Sequence, residues 1–278
     1  MGSQPTPLPL TAITTLLPPG LSSSLSLWNG RLAPSLQSPS TLLSVPKTFL
    51  DAMTVREAVF IREQQIPAEN EFDVNDARCV HFVCYASSSD ADDADDDADA
   101  DDDDADAEDD DDDDDDEPRP VGTVRIVPFP HAPHPVKGGR YLGDELVNHD
   151  ELDGETVKAL EVAEESGRDR KTSLHDGEET YLKLGRLAVL PEFRGRGVAN
   201  QLIQKAVEWM REHPQYFCTG VKGDGLKWHG LFCVHAQVSA MNVWKRAGFV
   251  IDEEMGRWWE EGIEHVGMWR RVEVKPQV

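Results

Sequence analysis

Leu187-Ala188-Val189-Leu190-Pro191-Glu192-Phe193-Arg194-Gly195-Arg196-Gly197-Val198-Ala199 decides how the rest of the chain reads. The apolar run from Thr180 to Leu190 has strand character and stops at Pro191. From Val198 to Glu212, the residues Leu202, Ile203, Ala206, Val207 and Met210 recur at helical spacing and share one face. Two glycines and two arginines lie between strand and helix. Glycine admits positive φ and lets backbone N–H groups approach an anion closely. The helix start adds free amides and the positive end of its dipole, and Arg194 and Arg196 add charge. The construction is a phosphate cradle. It is not a Walker A loop, because no Gly-Lys-Ser/Thr follows, nor the GxGxxG turn of dinucleotide-binding folds.

Working outward, Lys47 to Gln64 reads as an amphipathic helix carrying Phe49, Met53, Ala58, Phe60 and Ile61, ended by Pro67. Glu69 to Asp76 follows as an acidic loop. Two strand-like runs, Cys79–Tyr85 and Val121–Val127, flank a polar stretch and predict an antiparallel hairpin with a large insert. Pro128 to Pro135 is a turn region whose His131 and His134 read as surface residues. Asp144 to Glu165 has helical character. Leu231–Ala236 is a strand, Ser239–Arg246 a short helix, and strands begin at Phe249 and at His265. This order predicts a mixed α+β domain with both strand–helix units in its second half. Residues 1–45 are rich in Ser, Thr, Pro and Leu with Arg31 as their one charge, and read as disordered or loosely structured, with a short strand over Leu25–Leu32. The domain proper is expected over 46–278, interrupted by an insert over 88–118.

That insert dominates the composition. Asp90 to Glu117 holds 22 acids, 6 alanines and no base, so a net charge of −26 over 278 residues leaves only −4 elsewhere. Such a segment repels itself and cannot bury a core, which predicts disorder. It argues against nucleic-acid binding, which needs Lys and Arg facing phosphates. No run of 18 apolar residues suggests a membrane span. Cys79, Cys84, Cys218 and Cys233 show neither a CxxC pair nor a Cys/His zinc spacing, and read as reduced thiols. With no secretory signal, the cytoplasm is the expected location and the nucleus the alternative.

The pattern Arg194-x-x-Gly197-x-Ala199, after Leu187-x-Val189-x-Pro191, resembles the cofactor motif of the GNAT N-acetyltransferase superfamily. A second resemblance lies in Gln237 to Phe249, where Ala240, Gly248 and Phe249 match, Gln237 replaces the usual Asn and Trp244 the usual Tyr. Val59-Phe60, Glu63-Gln64, Pro67, Glu71, Asp73 and His81, with His235-Ala236-Gln237 and Glu261 to Met268, are similar to ElaA-like members. The resemblance covers about Lys47 to Arg271.

It implies the GNAT fold: a central, mixed and mostly antiparallel sheet, splayed between two parallel strands and flanked by helices. Acetyl-CoA would be the cofactor. Leu187, Ala188 and Val189 would meet its pantetheine and thioester, with Gln237 and Trp244 beside them, and Arg194, Gly195, Arg196, Gly197, Val198 and Ala199 would hold its pyrophosphate. The acetyl group would pass directly to an amine. The usual acid that reprotonates the thiolate is a Tyr, and Trp244 has no proton to give, so Tyr216, Cys233 or water stands in. His235 is the first candidate base and Glu63 a candidate anchor for the substrate ammonium. Glu69, Glu71, Asp73 and His265 are candidates for the acceptor site, where acid would favour a cationic amine. The chemistry requires no metal. Three readings follow: an enzyme for a small amine of amino-sugar or polyamine type; one for protein lysine or N-terminal amines, docking basic proteins through Asp90 to Glu117; or a CoA-binding protein without activity. A homodimer is the remaining partner considered.

Overall fold

A computed structural model describes residues 12–20, 25–87, 118–218 and 225–274. The acidic insert and its expected disorder lie outside these. Among the described residues ten strands form one open sheet: β1 (Ala12–Leu16), β2 (Val80–Ala86), β3 (Arg119–Val127), β4 (Arg140–Leu142), β5 (Glu145–Leu146), β6 (Leu182–Val189), β7 (Leu231–Gln237), β8 (Val250–Ile251), β9 (Arg257–Glu260) and β10 (Ile263–Arg271). The spatial order is β1-β2-β3-β6-β7-β10-β9-β4-β5, with β8 on the flank of β10. Pairing is antiparallel except at β6–β7 and β4–β9. This is the mixed α+β architecture expected from the order of elements.

Three departures have local causes. The expected strand over Leu25–Leu32 is a turn, in which Leu25 is buried and Trp28 meets Phe49 and Phe72 edge-on at 5.2 and 5.9 Å. Structure in residues 1–45 comes instead from β1, paired along β2, and from helix α1 (Pro39–Ser44), capped by the Ser38 side chain. The helix expected from Asp144 begins only at Gly154, where Asp153 caps Thr156. Ahead of it, Gly143 and Asp144 at positive φ turn β4 into β5.

The expected helix over Lys47–Gln64 is two structures. Helix α2 (Lys47–Arg56) passes into a π-helical stretch, Glu57–Glu63, whose wider turn is sealed by Gln64 N–H to Val59 O at 3.1 Å. Such stretches shift the phase of a helix and often mark functional sites. Here it delivers Glu63 and Gln64 towards the sheet centre. A short helix, α3 (Ala68–Glu71), follows.

Helix α5 (Val198–Glu212), which follows α4 (Gly154–Ser166) in the chain, buries Val198, Leu202, Ile203, Ala206, Val207, Trp209 and Met210 against the sheet. Its approach depends on Gly122 of β3: a Cβ there would lie 2.9 Å from Val198 Cγ1 and 3.0 Å from Leu202 Cδ1. The last helix, α6 (Met241–Arg246), ends at Gly248 with φ 85°.

Candidate active site

The site begins with a bulge. Between Thr123↔Ala188 and Arg125↔Gly185, one β3 residue faces Arg186 and Leu187 of β6. Arg186 takes a φ of 52°, and its guanidinium reaches Glu71 and Asp73. A bulge bends its strand and increases the local twist. Accordingly β6 pairs with β7 only at Leu182↔Phe232 and Lys183↔Cys233. Beyond these, the two parallel strands diverge into a V that opens at their C-terminal ends. Leu190 N–H donates to Val121 O at 2.9 Å, and strand alternation therefore turns the amides of Val189 and Leu187 towards the opening.

At the top of β6 the chain turns through Pro191–Phe193 into the glycine loop. Gly195 and Gly197 have φ of 77° and 88°. A Cβ on Gly195 would meet nothing within 4 Å, and one on Gly197 only Gln201 Nε2 at 3.9 Å. The loop thus has open space in front of both glycines and leads directly into the first-turn amides of α5, those of Val198 and Ala199. These features fit a diphosphate. The arginines are held as well: Arg194 Nε donates to Val189 O at 3.0 Å and its fork grips Glu63 at 2.8 and 2.6 Å, while Arg196 lies over the Phe193 ring. Arg119, at the start of β3, shares that ring and pairs with Glu192 at 2.7 Å.

On the β7 side, His235 Nδ1 lies 3.1 Å from Glu260 Oε1, and Trp258 Nε1–H donates to the same oxygen at 2.7 Å. A carboxylate only accepts, so Nδ1 carries the proton and Nε2 keeps its lone pair. Nε2 is buried and has no protein partner. Burial, then the charge of Lys183, pushes the His235 pKa down, so the ring is neutral at neutral pH. Burial alone would raise the Glu260 carboxyl, but the His235 hydrogen bond and the neighbouring histidines hold it well below the usual carboxylate range. His265 stands on the other side of Glu260, its Nε2 4.0 Å from Oε2. Gln237 exchanges amide hydrogen bonds with Gln64, joining β7 to the end of the π-helical stretch.

Several expected roles change. Glu63 is bound to Arg194 at the glycine loop, and that hydrogen bond lowers its pKa; it is not free for a substrate ammonium. Glu71 and Asp73 do not present free acid. With Asp76 they form a buried lattice with Arg56, Arg125 and Arg186, Glu71 reaching Arg56 at 2.7 Å and Asp73 reaching Arg125 at 2.5 Å. Of the acceptor candidates on that loop, Glu69 is exposed, beside an open cavity of about 610 Å³ also lined by Trp28, Asn70, Phe72 and Asp144.

Trp244 is a core residue packed edge-on against Phe249, with no proton to give. Tyr216 follows the C-terminal end of α5, whose 15 residues put it roughly 22 Å of helix from the glycine loop. It precedes the closed end of the V, so it cannot serve a thiolate at the open end. Cys233 sits fully buried at that closed end, and burial pushes its thiol pKa up. His134, expected at the surface, is fully buried too. Glu260 and the Arg186 bulge carry no local sequence signature. Glu260 is one of three acids over Glu260–Glu264 and becomes distinct only when β9 and β10 bring it to His235.

A V between parallel strands, with a glycine loop at its open end, coincides with the sequence model described as the Acetyltransferase (GNAT) family, which matches residues 80–249. The chain belongs to the GNAT family. It is accordingly an N-acetyltransferase that uses an acyl-CoA. Solved structures similar to this GNAT chain include Escherichia coli ElaA, at 18% identity and TM-score 0.40 over 86% of this chain and 96% of that one. Another is an acyl-CoA N-acyltransferase from Pseudomonas aeruginosa, at 15% identity and TM-score 0.40 over 86% and 95%. No curated protein matches the sequence.

Proposed function

We propose that this GNAT enzyme transfers acetyl from acetyl-CoA directly to the primary amine of a small cationic molecule, of amino-sugar or polyamine type, with His235 as the base. The observation that carries this reading is the His235–Glu260 pair: an oriented, neutral imidazole whose Nε2 lone pair has no partner, on a diverging strand of the V. Acetyl-CoA would supply the activated thioester. Val189 and Leu187 N–H would polarise its carbonyl, donors that gain strength as charge develops on that oxygen. Arg194 to Ala199 would hold the pyrophosphate. His235 Nε2 would take the proton lost as the amine nitrogen bonds to the acetyl carbon, and the departing thiolate would take a proton from water. Glu69 and Asp144 outnumber Arg31 around the cavity lined by the aromatic Trp28 and Phe72, which supports a cationic amine of modest size there.

The test is thiol release from acetyl-CoA against glucosamine, spermidine, free lysine and a histone peptide. Turnover with one of the small amines is expected. His235→Gln should then lower kcat about 10²- to 10⁴-fold, the usual range for a general base, with CoA affinity unchanged. Turnover with the peptide alone would replace the small-amine reading, and an unaffected kcat in His235→Gln would remove the base assignment.

A further inference from the structure

A group of buried imidazoles lies outside the machinery described so far. His134 is fully buried, and neither of its ring nitrogens has a hydrogen-bond partner. His175 is 4% exposed; its Nε2 meets Glu179 O at 2.8 Å, and its Nδ1 has no partner. Donor atoms of His134, His175 and Asp169 all lie within 4.8 Å of one another. A simple ion pair does not account for this. His134 Nε2 approaches Asp169 Oδ2 to 3.0 Å, yet without the alignment of a hydrogen bond, and Oδ2 already accepts from the Tyr181 hydroxyl at 2.7 Å. Orphaned buried polar groups are costly to leave unmade, and rings of Tyr181 and Trp269 pack on both histidines. Donors that converge without bonding one another are what a shared cation requires.

We propose that His134, Asp169 and His175 bind a zinc ion. Two imidazoles and a carboxylate suit zinc, whereas calcium and magnesium take all-oxygen sets. Metal-bound histidines usually give their second nitrogen to a carbonyl, and ligating carboxylates are themselves hydrogen-bonded. Glu179 O on His175 and Tyr181 on Asp169 supply both. The scaffold is rigid before any ion arrives. Asp252, fully buried, accepts from Thr172 Oγ1 at 2.5 Å, Ser173 Oγ at 2.7 Å, Leu174 N–H at 3.2 Å and Trp269 Nε1–H at 3.0 Å, which fixes the segment that carries His175. Asp169 Oδ1 accepts from His134 N–H at 2.7 Å, and Arg170 Nε donates to His134 O at 3.0 Å, which fixes the opposite side. His134 can also be grouped with Cys233 and His235. His235 is likewise oriented, by Glu260 on its Nδ1, but it is the proposed base, so the trio with Asp169, whose carboxylate adds the charge a zinc ion needs, is the one assigned. The ion would fasten the segment at His134 to the segment 169–175.

The experiment uses the full chain, stripped with a strong chelator, dialysed, and titrated with Zn²⁺ and separately with Co²⁺. One equivalent of zinc per chain by mass spectrometry is expected, with weakening of more than about tenfold in Asp169→Asn and His175→Ala and no change in His229→Ala, an exposed control. If the variants fail to fold, the cobalt spectrum of the unaltered chain decides. Intense tetrahedral bands without a thiolate charge-transfer band support the assigned ligands, and a charge-transfer band overturns them in favour of Cys233. Failure of the stripped chain to take up either ion, or full uptake by folded Asp169→Asn and His175→Ala, also overturns the proposal. None of these readouts depends on acetyl transfer.

Discussion

At the scale of single residues, the two glycines of the cradle separate binding from folding. Gly197 has φ 88° and open space before it, so Gly197→Ala adds only backbone strain, about 1–2 kcal/mol for a left-handed residue with a side chain. Thermal denaturation should show that modest loss with CoA binding retained. Gly197→Glu adds the same strain together with bulk and negative charge at the proposed pyrophosphate position, and calorimetry should find CoA binding lost in a chain that still folds. Retained binding in Gly197→Glu would remove the loop from cofactor recognition. These residues were legible in the sequence because their chemistry is local: strand, turn and helix follow one another in the chain. Glu260 was not, since its role needs a hairpin 25 residues from His235. His134 misread as exposed because prolines on either side suggested a surface loop, whereas Asp169 and Arg170, far along the chain, hold that loop inside.

Elements succeed or fail by how closely they approach. Helix α5 presses on β3 through Gly122, and its first turn is also the floor of the cradle. Gly122→Val would drive side-chain atoms into Val198 and Leu202, costing about 1–3 kcal/mol as overpacking does. Because the displaced turn carries the amides proposed to face the pyrophosphate, CoA affinity should fall along with stability. A drop in melting temperature with unchanged CoA affinity would show that the two are not linked through α5. The periodicity of this helix and of β6 was readable from sequence. The π-helical stretch was not, for a change of helical pitch leaves the apolar pattern almost unaltered. Nor was the short β4–β5 hairpin, which is specified by Gly143 and Asp144 in a stretch whose charges suggested helix.

Across the whole molecule, the buried charges set the response to acid. Burial alone would raise the carboxyls of Asp73 and Asp76, but the arginines, Arg125 foremost, hold both below the ordinary aspartate range. Their stabilisation is present above the unfolded value near 4 and is lost as the pH falls below it. His81 acts earlier. Burial, opposed by Asp76 and assisted by Arg56 and Arg125, pushes it down to about 4. Between that value and its unfolded value near 6.5 the unfolded chain binds a proton that the folded chain refuses, so stability falls as pH falls, by about 1.4 kcal/mol per unit for this one group. Urea denaturation from pH 7.5 to 5 should show at least that slope, because His131, His134 and His235 are depressed by burial too, and His81→Gln should reduce it by His81's share; an unchanged slope would remove His81 from it. Arg125→Ala, which leaves Asp73 and Asp76 short of a cation, should cost about 3–5 kcal/mol at neutral pH.

The clasp of Arg119 on Glu192 and Phe193 fixes where the chain that follows the 22 acids of the insert enters the sheet: beside the loop proposed to hold the pyrophosphate. Negative charge this close in sequence to Arg119 should repel an incoming anion at low ionic strength, and salt shortens its reach, to about 10 Å at 0.1 M. Most anion sites weaken as salt is added. Here KM for acetyl-CoA should instead fall as salt rises from very low concentration, and deleting residues 90–117 should restore the ordinary trend.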